Sequence, residues 1–144
     1  MKKIGLLAIS ALLLSGCAST VNLSPAADAN NPACAEVIVR LPSDIEGMPK
    51  RVTGAQATGA WGEPAHILLR CGLPAVYASK LQCVTAGDVD WLIDDSKAPS
   101  FRFITFGRKP AVEVIVDSRV ASGASVLDAL APSVQFLPAT RTCS

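Results

Sequence analysis

Three arginines are the residues whose type and spacing are best suited to binding a ligand. If the strands that carry them adjoin, Arg70, Arg102 and Arg108 would gather into a patch that binds an anion. Ordinary ion pairing is the more common role for such side chains. Trp61 and Glu63 belong to a Trp-Gly-Glu-Pro segment that could line a shallow groove beside the patch, although a tryptophan is more often a core anchor. These five residues form the candidate ligand or partner surface.

No catalytic constellation is found among the other reactive residues. His66, the only histidine, lies in an apolar run with no obvious acid partner, which favours a structural role over general-base catalysis. Asp88, Asp90 and Asp94 would spread along one strand face and lack the loop glycine and glutamate of a calcium-binding EF-hand. Ser125 fails the last position of the G-x-S-x-G nucleophile elbow. The sequence therefore predicts a non-enzymatic protein with no catalytic residue, no metal site and no cofactor.

The first 17 residues are organised like the leader of a bacterial lipoprotein. Lys2 and Lys3 give a positive start, and an apolar run of eleven residues follows from Ile4 to Leu14. A permanent transmembrane helix needs about 20 apolar residues, so this run has the length of a signal-peptide core. The next residues, Leu-Ser-Gly-Cys, are typical of a lipobox, in which a diacylglycerol alkylates the cysteine thiol before cleavage. Residues 1–16 are therefore predicted to be a lipoprotein signal peptide, and Cys17 the lipidated N-terminus that remains.

Such an anchor holds a protein on a membrane without crossing the bilayer. Each buried methylene contributes about 0.8 kcal/mol, and more than one acyl chain makes the attachment stable. Residues 18–31 are small and polar, which predicts a flexible tether after the lipidated Cys17. Residues 32–144 then form a single globular domain, long enough to bury its own core. The predicted location is the extracytoplasmic face of the cell membrane.

The charge balance argues against nucleic acid as a partner. The whole chain carries 13 basic and 12 acidic residues, and without Lys2 and Lys3 the mature chain is nearly neutral. Nucleic-acid binding requires a positive field, which this composition does not build. Aromatic residues make up only 5% of the chain, too few for a platform on which bases stack.

Four cysteines remain once Cys17 is assigned to lipid. In an exported chain, four cysteines indicate two disulfides with three possible connectivities. We favour a Cys71–Cys83 bridge, because these residues flank the connector between two predicted strands and would close the neck of a hairpin. Cys34–Cys143 would then join the first ordered residues to the last. The absence of a C-x-x-C pair argues against zinc.

The elements that would position these residues are read from hydrophobic periodicity. Asn31 and Pro32 are typical of a helix start, and the apolar spacing predicts a helix that ends before Pro42. A last helix is predicted over 124–131, ended by Pro132, with one or two helical turns at 74–81. Residues 61–93 are expected to hold a core hairpin. Strands are predicted over 65–71, 88–95, 101–106 and 112–117, with a weak edge strand in 52–60.

The predicted fold class is α+β. A four- to five-stranded, mostly antiparallel sheet would have helices from both chain ends packed on one face, with disulfides stabilising the domain. The strands at 101–106 and 112–117 are joined by a short link that carries Gly107 and Pro110, which predicts an antiparallel hairpin.

Several motifs, in this order, resemble an actinobacterial group of exported proteins, the domain-of-unknown-function family 3515. The segments that carry the resemblance are the lipobox, Ala33-Cys34, Leu41-Pro42, Lys50-Arg51, Ala60-Trp61-Gly62-Glu63-Pro64, Leu69-Arg70-Cys71-Gly72, Cys83 and Val89-Asp90-Trp91. Members of that family more often carry an aspartate at the position of Glu63 and an apolar residue near His66. The resemblance implies the cell envelope of a Gram-positive-type bacterium and supplies no mechanism.

These observations rank three functions. The leading hypothesis is a membrane-anchored extracytoplasmic lipoprotein that acts as a non-enzymatic binding module, with an envelope protein or glycan as its partner. The alternative is a lipoprotein that captures a small anion through Arg70, Arg102 and Arg108 beside Trp61. A cell-wall hydrolase that uses the aspartates and His66 is the least favoured.

Overall fold

The computed structural model describes residues 18–143, so the predicted signal peptide and Cys17 lie outside the described range. The described chain forms a six-stranded sheet, a two-stranded sheet and two helices, and every strand pairing is antiparallel. The α+β class is therefore confirmed, whereas the count of four to five strands is wrong. In chain order the elements are α1 (Pro32–Val39), β1 (Asp44–Ile45), β2 (Met48–Pro49), β3 (Thr58–Trp61), β4 (Ile67–Leu73), β5 (Gln82–Ala86), β6 (Val89–Asp94), β7 (Ser100–Thr105), β8 (Ala111–Asp117) and α2 (Gly123–Val134).

The strand order of the large sheet is β3-β4-β8-β7-β6-β5. The predicted β7–β8 hairpin is confirmed. The core hairpin expected within residues 61–93 is wrong, because β4 pairs with β3 and β8 while β6 pairs with β5 and β7. Strand β5 was missed altogether. Its turn to β6 consists of Gly87 and Asp88, both with positive φ, as in the type I′ turns whose twist matches the right-handed twist of the paired strands.

The core lies between the two helices and one face of the large sheet. Both tryptophans are fully buried there, and so are Leu130 of α2 and Val37 of α1. Helix α1 contacts β4, helix α2 contacts β5 and β8, and the helices also contact each other. No helix within residues 18–143 has the length and apolar character needed to cross a membrane.

The helix boundaries follow their sequence signals at the start but not at the end. The Asn31 side chain accepts a hydrogen bond from the Ala33 amide at 3.0 Å, which confirms the predicted N-cap. Helix α2 continues through Pro132, so the prediction that this proline ends the helix is wrong. The buried Val134 packs in the core beyond it, and this contact outweighs the backbone hydrogen bond that proline cannot donate. Residues 74–81 form no helix.

The segment predicted as a flexible tether lies against the domain. Val21 exchanges backbone hydrogen bonds with Val52 and Gly54, each 2.9 Å long, and the Asp28 amide donates to the Gly72 carbonyl at 2.9 Å. Gly72 has a φ of +109°, and a Cβ there would lie 2.5 Å from the Asp28 backbone, so glycine permits this close approach. The tether prediction is thus wrong for residues 18–31, because their backbone polar groups find partners on the domain.

The disulfide connectivity also differs from the prediction. The bridges are Cys34–Cys71 and Cys83–Cys143, not Cys71–Cys83 and Cys34–Cys143. Cys71 lies on the helix-facing side of β4, where Cys34 of α1 meets it with a Cα separation of 5.5 Å. Strands β4 and β5 are separated by three intervening strands, or about 19 Å. A disulfide spans about 7 Å at most between Cα atoms, so Cys71 and Cys83 cannot be joined in this sheet.

Candidate functional site

The face of the large sheet that points away from the helices carries three adjoining cavities. Because side chains alternate along a strand, residues between the core positions of β4, β8 and β7 point to this face. Ile115 lines all three cavities, of about 240, 340 and 260 Å³, and its cross-strand neighbour Leu68 lines two of them. We call this region the open-face groove; the residues that define it are Leu68, Arg70, Arg102, Glu113, Ile115 and Asp117.

Two of the three predicted arginines meet in the groove at a buried carboxylate. Arg70 lies directly opposite Glu113 on the neighbouring strand, and Arg102 lies diagonally opposite on the other side. Arg70 Nε donates to Glu113 Oε1 at 2.9 Å, its Nη2 lies 2.7 Å from the same oxygen, and Arg102 Nε donates to Oε2. The Glu113 side chain is 3% exposed, against 33% and 37% for the arginines. The two arginines and Glu113 together therefore have a net charge of +1, and Asp94, the cross-strand partner of Arg102, lines the same cavity as Lys97.

The two arginines keep donors for a further acceptor. Within residues 18–143, Arg70 Nη1 and both Nη atoms of Arg102 have no hydrogen-bond partner. Glu113 accepts a hydrogen bond from the Nε–H group of each arginine. The two guanidinium planes are therefore held in position before any ligand binds. A carboxylate or phosphate accepts charge-assisted hydrogen bonds from such donors, which are about twice as strong as neutral ones. This arrangement can bind an anion, as the sequence suggested for Arg70 and Arg102.

At the other end of the groove, His66 does have an acid partner. Its Nδ1 lies 3.4 Å from Asp117 Oδ2, so the expectation that it lacks one is wrong. Arg119 donates to both oxygens of Asp117, at 2.9 and 2.8 Å, and these bonds lower the pKa of Asp117 below its ordinary value, with a smaller contribution from His66. Asp117 pairs with His66 on one side and with Ser100 on the other. A catalytic triad also needs a nucleophile on the other ring nitrogen, and within residues 18–143 no Ser, Thr or Cys side chain is hydrogen-bonded to His66.

The third predicted arginine lies outside the groove. Arg108 is 6% exposed and donates to the main-chain carbonyls of Gln135, at 2.8 Å, and of Leu137 and Asp88. Burial lowers the pKa of Arg108, and the Asp90 carboxylate partly opposes this effect. Arg108 therefore holds the segment after α2 to the sheet, so its assignment to the anion patch is wrong.

The Trp-Gly-Glu-Pro segment is also separate from the groove. Trp61 is fully buried and its Nε1 donates to the Pro42 carbonyl at 3.0 Å, which confirms the role of core anchor and excludes the exposed one. Glu63 is largely exposed and pairs with Arg51 at 2.7 Å. Neither residue lies beside Arg70 or Arg102, so the predicted surface of five residues is reduced to these two arginines.

The three aspartates considered for a cation have other partners or positions. Asp88 lies in the β5–β6 turn, and Asp90 accepts from the Thr85 hydroxyl and the Cys143 amide at 2.6 and 2.8 Å. Hydrogen bonds from Ser96 lower the pKa of Asp94. Across residues 18–143, no group of three or more His, Cys, Asp or Glu side chains is arranged to hold a metal ion.

Glu113 is the residue of the candidate site that sequence reasoning missed. It alternates with Val112 and Val114 in β8, so its parity put it on the face away from the core. The same parity holds for Arg70 in β4 and Arg102 in β7. The signal that could have identified the cluster was an acidic residue between two valines. It alternates in the same way as an arginine on each of two other strands, so all three side chains point to the same face of the sheet.

The fold and the site define a class: a disulfide-linked α+β domain with a cationic cluster on the open face of an antiparallel sheet. The family described as "Protein of unknown function (DUF3515)" matches residues 4–142, and the chain belongs to that family. No curated protein and no solved structure matches the chain.

Proposed function

We propose that the protein is an extracytoplasmic lipoprotein, anchored through Cys17, whose open-face groove binds an anionic group of an envelope component without chemical change. The envelope would be of the actinobacterial, Gram-positive type that the sequence resemblance implies. The two disulfides support an extracytoplasmic location, because such bonds persist in oxidising surroundings and are rare in the cytosol. They use four of the five cysteines and leave Cys17 for lipid.

The anchor would hold the domain close to the membrane. The Arg51 guanidinium donates to the Ser19 carbonyl at 2.6 Å and to the Gly62 carbonyl at 2.7 Å, which fixes Ser19 beside the end of β3. Ser19 is two residues from Cys17 in the sequence, and two residues of extended chain span about 7 Å at most, so a lipid on Cys17 would be attached close to this point. The end of the domain around Gly62 would therefore face the bilayer.

The Cys17 anchor is tested by mass spectrometry of the mature chain. We expect a diacylglyceryl adduct on Cys17, whereas Cys17→Ser should accumulate as a precursor that keeps residues 1–16 and carries no acyl mass. Ser15→Ala, which keeps a small residue before the cysteine, should still be processed and lipidated. An unmodified thiol at Cys17 in the exported wild-type protein would refute the anchor.

One observation carries the binding proposal: two arginines share a single buried carboxylate and, as far as residues 18–143 are concerned, keep donors without a partner in one groove. The positive cluster is complementary to carboxylate and phosphate groups. The ligand could be a free anion or the same group on a cell-wall glycan or protein. Inorganic phosphate and washed cell walls, used as separate probes, distinguish these sources.

Arg102→Gln is expected to weaken phosphate binding about tenfold or more, because one hydrogen bond to a charged group contributes about 1.5–3 kcal/mol. Titration calorimetry measures the affinity on the Cys17→Ser mature chain, which is residues 17–144 expressed in soluble form without residues 1–16. Arg40→Gln is the matched control, since Arg40 is exposed and pairs with Glu36 outside the groove. A sedimentation assay with washed cell walls tests whether the anion belongs to the wall. If it does, less Arg102→Gln than wild type should sediment with the walls, and Arg40→Gln should sediment as wild type does. Equal phosphate affinity in wild type and Arg102→Gln would exclude the groove as an anion site.

A further inference from the structure

The helix-facing side of the sheet contains a second cavity, separate from the open-face groove. It has a volume of about 380 Å³ and lies between the start of α2 and strands β5, β6 and β7. The side chains that enclose most of it are apolar, and none of the residues between 18 and 143 that line it is charged. We call it the apolar cavity; its main lining residues are Val84, Ala86, Ile93, Phe101, Phe103 and Leu127.

The few polar groups of the apolar cavity are already engaged elsewhere. Thr85 and Ser118 are the lining residues that carry side-chain hydroxyls. Thr85 donates to Asp90 at 2.6 Å, and Ser118 donates to the Pro99 carbonyl at 3.0 Å. A polar ligand would therefore lose its hydrogen bonds to water without replacing them, at a cost of roughly 1–3 kcal/mol per group. The lining therefore favours an apolar occupant.

The walls are shaped for a flat or linear hydrocarbon. The Phe101 and Phe103 rings are stacked, with centroids 6.5 Å apart and planes inclined by 19°, so they form one continuous wall. A Cβ at Gly123 would lie 2.8 Å from the Phe103 ring, and glycine thus lets α2 begin directly beside this wall. Val84, Ile93 and Phe101 are only partly buried although they border the core, so an occupant would remove further apolar surface from water.

The volume sets the size of the occupant. An engineered apolar cavity of about 150 Å³ binds benzene, which has six carbon atoms. In the same proportion, a cavity of about 380 Å³ holds roughly 15 carbon atoms, which is the length class of a single acyl chain. The cavity is open to solvent on one side, so a head group can remain outside.

The location of the apolar cavity favours an acyl chain over other hydrocarbons. A row of cross-strand pairs crosses the sheet from Trp61 through Ile67 and Val116 to Phe101. Phe101 therefore lies at the same end of the sheet as Trp61 and Gly62. Three strand spacings, about 14 Å, separate Phe101 in the cavity wall from Trp61. Trp61 is followed by Gly62, beside which Arg51 holds Ser19. In the proposed anchored state this end of the domain faces the bilayer, where acyl chains are the abundant apolar molecules.

We infer that the apolar cavity binds one acyl chain of about 12–16 carbons, with the head group in solvent. The choice of an acyl chain rests in part on the proposed membrane anchor, whereas the cavity's preference for an apolar ligand does not. The site would let the protein hold a single-chain lipid at the membrane surface, independently of the arginines of the open-face groove.

The inference is tested in solution on the mature chain with Cys17→Ser, which keeps every residue of both sheets, both helices and both disulfides. The probe is 11-(dansylamino)undecanoic acid, whose fluorescence rises in an apolar site, and dodecanoic acid and dodecanol are the competitors. We expect saturable one-to-one binding that both competitors displace with similar affinity, because the chain and not the carboxylate is recognised. Arg102→Gln should leave probe binding unchanged.

Two variants that fill the apolar cavity have a matched control. Ala124→Trp and Val84→Phe place bulk at two different walls and should each weaken probe binding at least tenfold. Ser125→Trp adds the same indole at the next, exposed position of α2, which does not line the cavity, and should bind as wild type does. Circular dichroism checks that each variant is folded.

Absence of saturable binding, or equal binding by Ala124→Trp, Val84→Phe and Ser125→Trp, would overturn the inference. Displacement by dodecanoic acid but not by dodecanol would also overturn it, because the anionic head would then be the recognised group. An unmodified Cys17 or a failure to bind phosphate would refute the proposed function but would leave these measurements unaffected.

Discussion

Replacing both Cys34 and Cys71 by serine is expected to lower the free energy of unfolding by about 4 kcal/mol, the chain-entropy value for a closed loop of this size. The two cysteines are 37 residues apart, and both are fully buried where α1 meets β4. The bridge restricts the unfolded chain, and it also fixes the contact between the first helix and the sheet. Guanidinium unfolding of the Cys17→Ser mature chain, with and without the two substitutions, measures the loss.

The single variant Cys71→Ser separates the observed connectivity from the one that the sequence favoured. In the structure, losing Cys71 frees the thiol of Cys34 and leaves Cys83–Cys143 intact. Alkylation under denaturing, non-reducing conditions should therefore label Cys34 and not Cys83. Labelling of Cys83 in this variant would contradict the observed pairing. Cys143→Ser is the reciprocal control and should expose Cys83 alone.

Local sequence signals predicted local structure well. Asn31 and Pro32 marked the start of α1 because an N-cap side chain and a proline at the first helical position act within one turn. The β7–β8 hairpin followed from two alternating segments and the short link between them. In both cases the residues that determine the structure are close together in the chain.

Non-local pairing could not be predicted in the same way. The continuous apolar run in β4 showed that this strand is buried, but no residue in it specifies β8, more than forty positions later, as its neighbour. The incorrect disulfide pairing had the same origin, since it assumed that segments near in sequence are adjacent in the sheet. The packing of Val21 and Asp28 on the domain was missed because it uses backbone hydrogen bonds, which side-chain composition does not reveal.

The candidate site was predicted in part for the same reason. The alternation of side chains puts Arg70 and Arg102 on the same face of their strands, the one away from the helices. They come together there because β8 lies between β4 and β7. Arg108 was grouped with them by residue type alone, yet it belongs to the β7–β8 connection, where side-chain alternation does not apply. Its buried position on the carbonyls of residues 135 and 137 depends on the path of the chain after α2, which no local pattern specifies.

Glu113→Gln is expected to lower the free energy of unfolding by about 3 kcal/mol. Removing one partner of a buried ion pair costs about 3–5 kcal/mol, and the lower end applies because the arginines are about one-third exposed and regain some hydration. The substitution keeps the shape of the side chain but leaves two guanidinium groups close together without a countercharge. Glu36→Gln, which disrupts the exposed pair with Arg40, is the control and should cost less than about 1 kcal/mol.

The double variant Glu113→Gln, Arg102→Gln shows whether the loss comes from uncompensated charge. Because it removes one of the two repelling cations, it should be more stable than Glu113→Gln alone, and a double-mutant cycle measures this coupling. If the stability changes were simply additive, the carboxylate would not act as the shared partner of the arginines. The single variant should also bind phosphate at least as tightly as the wild type while it remains folded, since the cluster then carries a charge of +2. Stability would thus fall while anion affinity is kept or rises, which is expected if the main effect of Glu113 on a bound anion is to offset the charge of the arginines.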